Sequence, residues 1–222
     1  MNLTAVIIAV AVGIVSGLFL PYFGQRLSVY KCKQKNREMK EDPRFTGWQA
    51  LLPCAVANGA GCGLCWYFGS QVPVAAILAA IIWALGIILI IVDLRLRLIP
   101  NEVLLWMLIF GVVMQVIVNG FGALFGCIFA SAMVFGLFGM LGNFMGFYKI
   151  GAGDCKLAMV MTMSLGYPLV LTSLFGFSGS MLLFCLIGLL LKKITLKSYL
   201  PLGPFMVPGF WVGLVILLNN AV

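Results

Sequence analysis

Three of the six acidic residues in this 222-residue chain lie at the edges of strongly apolar segments. Asp93 ends the run IILIIVD, Glu102 follows Pro100 by two residues, and Asp154 comes directly after Gly-Ala-Gly. An ionised side chain at the centre of a membrane helix costs about 2.5–3.5 kcal/mol, so such residues usually have a function. These acids are therefore the first candidates for a functional site.

Two of these acids, Asp93 and Asp154, could together hydrolyse a peptide bond. Two facing carboxyl groups do not both ionise readily, so they share a proton and titrate as a pair. One then acts as the base that activates a water, while the protonated partner polarises the peptide carbonyl. This chemistry needs no histidine, and the chain contains none. That absence excludes Ser-His-Asp and Cys-His catalysis and histidine-based zinc hydrolysis.

The spacing alone leaves two other functions open. Asp93 precedes Arg95 and Arg97 and could pair with one of them, and Asp154 could cap its helix, because Asp is favoured at helix N-termini. The chain would then be a structural membrane subunit. Alternatively, both aspartates could line a proton or cation path in a small transporter.

The composition predicts an all-α, polytopic membrane protein that positions these acids. The chain is 63% hydrophobic and 9% charged, with a mean hydropathy of +1.15, whereas soluble domains carry about 25% charged residues. The first apolar segment lacks the basic start and cleavage site of a secretory signal, so we expect it to be a retained span. Apolar runs of about 20 residues can cross a bilayer as helices. We place eight spans, the sixth of them short, at 3–23, 48–69, 73–92, 102–119, 121–144, 155–167, 168–190 and 203–219.

The net charge of +8 does not indicate nucleic-acid binding. The basic residues fall in short connections between apolar runs, which is the placement that sets the orientation of a membrane protein. With the N-terminus outside, all 14 Lys and Arg residues lie on the cytoplasmic side. The longest connection, residues 25–47, is predicted to be a basic cytoplasmic loop that contacts anionic lipid headgroups. It is too short to form its own core, so residues 1–222 are expected to form one membrane domain. Asp93 and Asp154 then both lie at the cytoplasmic edge of the bilayer.

Three stretches of the chain resemble the type IV prepilin leader peptidases, which are bacterial GxGD-type membrane aspartyl proteases. VDLRLRLIPN is similar to a motif with a catalytic Asp six residues before Leu/Ile-Pro-Asn/Asp, GAGDCKL to G-x-G-D-x-K-L, and PLGPF to a terminal P-x-G-P-F/Y. The matching residues are Asp93, Ile99, Pro100, Asn101, Gly151, Gly153, Asp154, Lys156, Leu157, Pro201, Gly203, Pro204 and Phe205.

The resemblance implies an endopeptidase of the bacterial inner membrane that acts in type IV pilus or type II secretion systems. Its substrate would be a prepilin or pseudopilin, cut at the cytoplasmic face after a Gly, between a short basic leader and a hydrophobic helix. Asp93 and Asp154 would be the catalytic pair. Gly151 and Gly153 would give backbone room to an extended substrate segment.

Four further residues are expected to support the site. Lys156 could influence the ionisation of the aspartates or contact the substrate. It could also be a basic residue that only fixes the membrane topology. Pro100 is expected to start the fourth span, next to Asn101. Glu102 should lie in the first helical turn, where the dipole favours an acid, and could alternatively bind the basic leader.

The chain departs from the family pattern in its cysteines. Many members carry a cytoplasmic zinc-binding loop with two C-x-x-C pairs and also N-methylate the new N-terminus. Here residues 25–47 contain only Cys32, and the single C-x-x-C pair, Cys62 and Cys65, falls inside a predicted span. The seven cysteines are scattered through apolar segments, which indicates packing and not a disulfide framework. We therefore expect no metal, no cofactor and no methyltransferase activity.

Overall fold

The computed structural model describes residues 3–34, 47–145, 151–192 and 201–221. Within these ranges the secondary structure is entirely helical, which confirms the predicted all-α class. The nine helices are α1 (Leu3–Gly17), α2 (Leu20–Gln34), α3 (Trp48–Phe68), α4 (Pro73–Leu96), α5 (Asn101–Asn119), α6 (Ala123–Met145), α7 (Ala152–Leu165), α8 (Leu169–Leu190) and α9 (Gly203–Asn220).

Seven helical stretches in the described ranges are long and apolar enough to cross a membrane, which confirms the polytopic class. The stretch Leu3–Gln34 contains both α1 and α2. Helix α7, which corresponds to the short sixth span of the sequence prediction, has 14 residues. At 1.5 Å per residue it is about 21 Å long, against a hydrocarbon core of about 30 Å. One face of α7 is buried inside the bundle.

The predicted cytoplasmic loop is partly wrong, because residues 25–34 are helical and belong to α2. Their helix is held against α4 by a buried stripe of small residues at four-residue spacing, namely Gly24, Ser28 and Cys32. A Cβ added to Gly24 would lie 2.9 Å from the Cγ2 atom of Ile91 in α4, so only glycine permits this approach. Most of the rest of the predicted loop lies outside the described residues.

Helices α4 and α9 form the centre of the bundle. Half of the residues in the most apolar part of each are buried, against a third or fewer in the other spans. The indole rings of Trp83 in α4 and Trp211 in α9 stack with their centroids 4.2 Å apart. The Nε1 atom of Trp83 also donates a hydrogen bond to the carbonyl oxygen of Ala57 in α3. The two tryptophans therefore join three helices in the middle of the molecule.

Small residues set the position of α7. Gly111 of α5 lies directly against Ser164 of α7, where a Cβ would clash with the serine side chain. Gly213 of α9 lies against Leu165 at the same end of α7. Small residues at such contacts let membrane helices pack closely. Helix α7 is thus held between α5 and α9, and its first turn points to the site described next.

Candidate active site

A cavity of about 800 Å³ lies where the ends of five helices meet. Its walls come from the last turns of α2 and α4, the first turns of α5 and α7, and the residues before α9. All eight site residues predicted from the sequence line this cavity. They are Asp93, Pro100, Asn101, Glu102, Gly151, Gly153, Asp154 and Lys156.

Asp93 lies in the last turn of α4 and is 4% exposed. The backbone N–H of Gly203, the first residue of α9, donates a 3.0 Å hydrogen bond to its Oδ2 atom. The N–H groups of the first helical turn have no partner within their own helix and attract negative charge. A Cβ on Gly203 would lie only 2.6 Å from the same oxygen. Gly203 therefore both binds the carboxylate and leaves space for it.

Asp154 lies in the first turn of α7 and is half-buried. Its pKa is raised from the usual value to about 6, first by burial and then by the negative charge of Asp93. The two carboxyl groups, which line one cavity, are thus close enough to influence each other's ionisation. This is the behaviour expected of a pair that shares a proton.

The two glycines before Asp154 each face a side chain of the protein itself. A Cβ on Gly151 would lie 2.6 Å from the Oδ2 atom of Asp154. A Cβ on Gly153 would lie 3.0 Å from the Cβ atom of Ile99, which is buried between α4 and α5. A larger residue at either position would therefore displace a neighbouring side chain, Asp154 in one case and Ile99 in the other. Room for a substrate segment beside them stays a prediction.

A tight turn connects α4 to α5 and brings the first motif into the cavity. Arg97 ends α4 in the left-handed conformation, with φ 50° and ψ 46°, and its N–H donates to the carbonyl oxygen of Asp93. Pro100 immediately precedes the first helical residue of α5, Asn101. Proline suits this position because its fixed φ of about −65° matches the extended backbone there, with φ −73° and ψ 128°.

Two further contacts, each between polar side chains, join helices around the cavity. The Nζ atom of Lys156 in α7 donates a 3.1 Å hydrogen bond to the Oδ1 atom of Asn101 in α5. The Nζ atom of Lys31 in α2 forms an ion pair with Glu102 in α5 at 2.6 Å, and it also donates to Gln34 at 3.0 Å. The Lys31 side chain is only 8% exposed, whereas that of Glu102 is half-exposed.

Lys31 and Gly203 were not among the predicted site residues. Gly203 was recognised only as part of a terminal motif, and its contact with Asp93 joins positions 110 residues apart. Lys31 lies in a run of basic residues that resembles a topology signal. The small residues at four-residue spacing in α2 are the feature of the sequence that indicates a packed helix at the start of this basic run.

The cysteines lie elsewhere in the fold. Cys62 and Cys65 are both in α3, and neither lines the cavity. No group of three or more His, Cys, Asp or Glu residues that could hold a metal ion occurs in the described ranges. The polar groups at the site are thus carboxylates, lysines, an arginine, amides and backbone N–H.

The fold and the cavity define a class: a polytopic membrane protein with two coupled aspartates at one end of its helical bundle. The type IV leader peptidase family matches residues 78–192, just over half of the chain, and the match includes both aspartates. The chain therefore belongs to the type IV leader peptidase family, and it is a peptidase. Comparisons with curated proteins and with solved structures find no match.

Proposed function

We propose that the protein is an aspartyl endopeptidase that removes the short basic leader from type IV prepilins or pseudopilins. Cleavage follows a Gly that precedes the hydrophobic helix of the substrate, at the cytoplasmic face of a bacterial inner membrane. The observation that carries this proposal is the electrostatic coupling of Asp93 and Asp154 across one cavity, in a member of a leader peptidase family.

The surroundings of the two carboxyl groups suit different catalytic roles. Asp93 accepts a hydrogen bond from the N–H of Gly203, which stabilises its ionised form, so we assign Asp93 as the base that activates the attacking water. Asp154 retains its proton to a higher pH than an ordinary aspartate and polarises the peptide carbonyl. The proton taken from water then passes to the leaving amine, which restores the starting state of the pair.

The test is cleavage of a prepilin-type substrate by the purified protein in detergent or liposomes. Asp93→Asn and Asp154→Asn should each reduce cleavage at least about 1,000-fold, because the pair shares one proton and acts as a unit. Asp42→Asn is the matched control, since it makes the same chemical change in the sequence between α2 and α3. Retained cleavage in either cavity variant would contradict the proposal, as would loss of wild-type cleavage with a metal chelator.

We infer further that the new N-terminus is not methylated. The support is the position of the C-x-x-C pair within the membrane-spanning helix α3, where Cys65 is completely buried. Incubation of the enzyme with substrate and radiolabelled S-adenosylmethionine should therefore label no product. Transfer of label to the cleaved substrate would refute this inference.

A further inference from the structure

An apolar groove continues from the active-site cavity along the side of the bundle. It encloses about 500 Å³ between α5, α6 and α7. Two residues of the described part of the chain line both the cavity and the groove, namely Asn101 and Lys156. These are the residues joined by the 3.1 Å hydrogen bond between α5 and α7. The two spaces therefore meet at this bond.

The groove has walls suited to an apolar helix. Leu105, Leu108, Ile128, Ala132, Met159 and Met163 line it. The side chains of Leu105 and Ile128 are each more than half exposed, so the described helices leave them largely uncovered. Methionine is unbranched and adapts its shape to different neighbours. Beyond the two shared residues, the described wall contains one polar side chain, Ser131, and its hydroxyl donates to the carbonyl oxygen of Met159.

The positions along α5 give the length of the groove. Asn101, Leu105 and Leu108 lie on one face of that helix and span eight residues of it, which is a rise of seven steps. At 1.5 Å per residue the groove extends about 10 Å from the edge of the cavity, or about two helical turns. It could therefore hold roughly the first seven residues of a helix that begins at the cavity.

A second apolar groove lies between α1, α3 and α4 and encloses about 630 Å³. It is larger than the first, but none of the described residues lines both this groove and the active-site cavity. Volume and apolar lining alone therefore do not distinguish the two grooves. Continuity with the catalytic residues does, and it selects the groove between α5, α6 and α7.

We propose that the groove between α5, α6 and α7 binds the hydrophobic helix of the substrate, beginning directly after the scissile bond. This inference rests on the proposed function. From a peptide bond held at Asp93 and Asp154, the substrate chain would pass Lys156 and Asn101 and enter the groove, so this one polar pair separates the scissile bond from the apolar walls. The enzyme thereby selects substrates whose cleavage site lies next to an apolar helix.

Filling the groove tests this inference. Two substrates are compared: one carries the leader and the complete hydrophobic helix, and the other is a short soluble peptide that ends two residues after the cleavage site. In Ala132→Trp, the ratio of kcat/KM for the helix-bearing substrate to that for the short peptide should fall at least tenfold. Ile81→Trp, in the groove between α1, α3 and α4, should leave this ratio unchanged. An unchanged ratio in Ala132→Trp, or an equal fall in Ile81→Trp, would overturn the inference.

Crosslinking provides a second measurement that does not depend on cleavage rates. Benzoylphenylalanine in place of Leu105, a large side chain of the groove wall, in the Asp93→Asn background should capture the first seven or so residues of the substrate helix, and in place of Ile81 it should capture none. Capture at 81 and not at 105 would overturn the groove assignment. Failure of the wild-type enzyme to cut either substrate would instead contradict the proposed function, so the two failures are distinguishable.

Discussion

Each aspartate of the cavity lies against a glycine whose missing side chain leaves space for a carboxylate oxygen. At Gly203 the same residue also donates its N–H to Asp93. We expect Gly203→Ala to displace the Asp93 carboxylate and to reduce kcat/KM at least tenfold, because catalytic groups tolerate little displacement. Steady-state cleavage assays measure this loss.

Gly179→Ala is the matched control for that substitution. Gly179 is also helical, but a Cβ there would meet nothing within 4 Å. Activity should be unchanged, and stability should be equal or higher, since alanine is favoured over glycine in a helix by up to about 1 kcal/mol. Equal losses of activity in both variants would mean that the space beside Asp93 is not the cause.

The raised pKa of Asp154 predicts a pH-dependent stability. An ordinary aspartate has a pKa near 3.8, whereas Asp154 in the folded protein has a pKa of about 6. Between these values the unfolded chain has released its proton while the folded protein retains it, so rising pH disfavours the folded state until about pH 6. Asp154→Asn removes this effect.

The thermal unfolding temperature of Asp154→Asn, relative to the wild type, should therefore increase between about pH 4 and pH 6 and stay constant above pH 6. Unfolding of the two proteins in the same detergent at pH 4.5, 6 and 7.5 measures this difference. A difference that does not depend on pH would show that Asp154 is not held in its protonated form by its surroundings.

Residue chemistry made much of the site predictable. Asp93 and Asp154 were identifiable because charged residues in apolar segments usually have a function. The motifs around them identified the neighbouring site residues. The partners of Glu102 and Asp93 were not predictable in the same way. Lys31 pairs with a residue 71 positions away, and the contact of Gly203 depends on how α9 begins beside α4. Such long-range pairings follow from packing and leave little local trace.

At the scale of helices, the ion pair between Lys31 and Glu102 connects α2 to the start of α5. Lys31 is almost completely buried, so Glu102→Gln removes the negative charge that balances it, although the glutamine Oε1 can still accept a hydrogen bond from Nζ. We expect a loss of about 1–3 kcal/mol in the free energy of unfolding, which is the range for hydrogen bonds to charged groups. Lys31→Met should lose less, because methionine suits an apolar site.

The double variant of these two positions separates pairing from substrate binding. If the two side chains stabilise each other, Lys31→Met combined with Glu102→Gln should be less destabilised than the sum of the single variants. Denaturant unfolding of the four proteins gives this coupling. Additive losses, together with a raised KM for a basic leader in Glu102→Gln, would instead support the alternative in which Glu102 binds the leader.

The helices themselves were predictable to different degrees. The long spans follow from apolar runs, and α3, α4, α5, α8 and α9 agree with the sequence prediction within a few residues. The search for apolar runs could not predict helix α2, because its polar sequence resembles a loop. Its helical state depends on packing against α4. The short α7 was expected at 155–167, and its first turn, which contains Asp154, is fixed by contacts with α4–α5 residues and not by hydropathy.

At the scale of the whole molecule, the cavity brings together the helix ends that the predicted topology places on one side of the membrane. Lys31, Arg97 and Lys156 all lie around it. The connection between α3 and α4 lies at the opposite ends of those helices and carries no basic residue. Basic residues are retained on the cytoplasmic side of bacterial membranes, so the arrangement predicts a cytoplasmic active site.

Cysteine labelling tests this orientation. Ser70, between α3 and α4, and Lys33, in the last turn of α2, are both exposed, and they lie on opposite sides of the predicted membrane. In spheroplasts a membrane-impermeant maleimide should label Ser70→Cys above the wild-type level, while Lys33→Cys should require disrupted membranes. The wild type, with its seven cysteines, sets the background for both variants. Labelling of Lys33→Cys from outside would invert the topology, and it would place the two aspartates on the side of the membrane that a cytoplasmic leader does not reach.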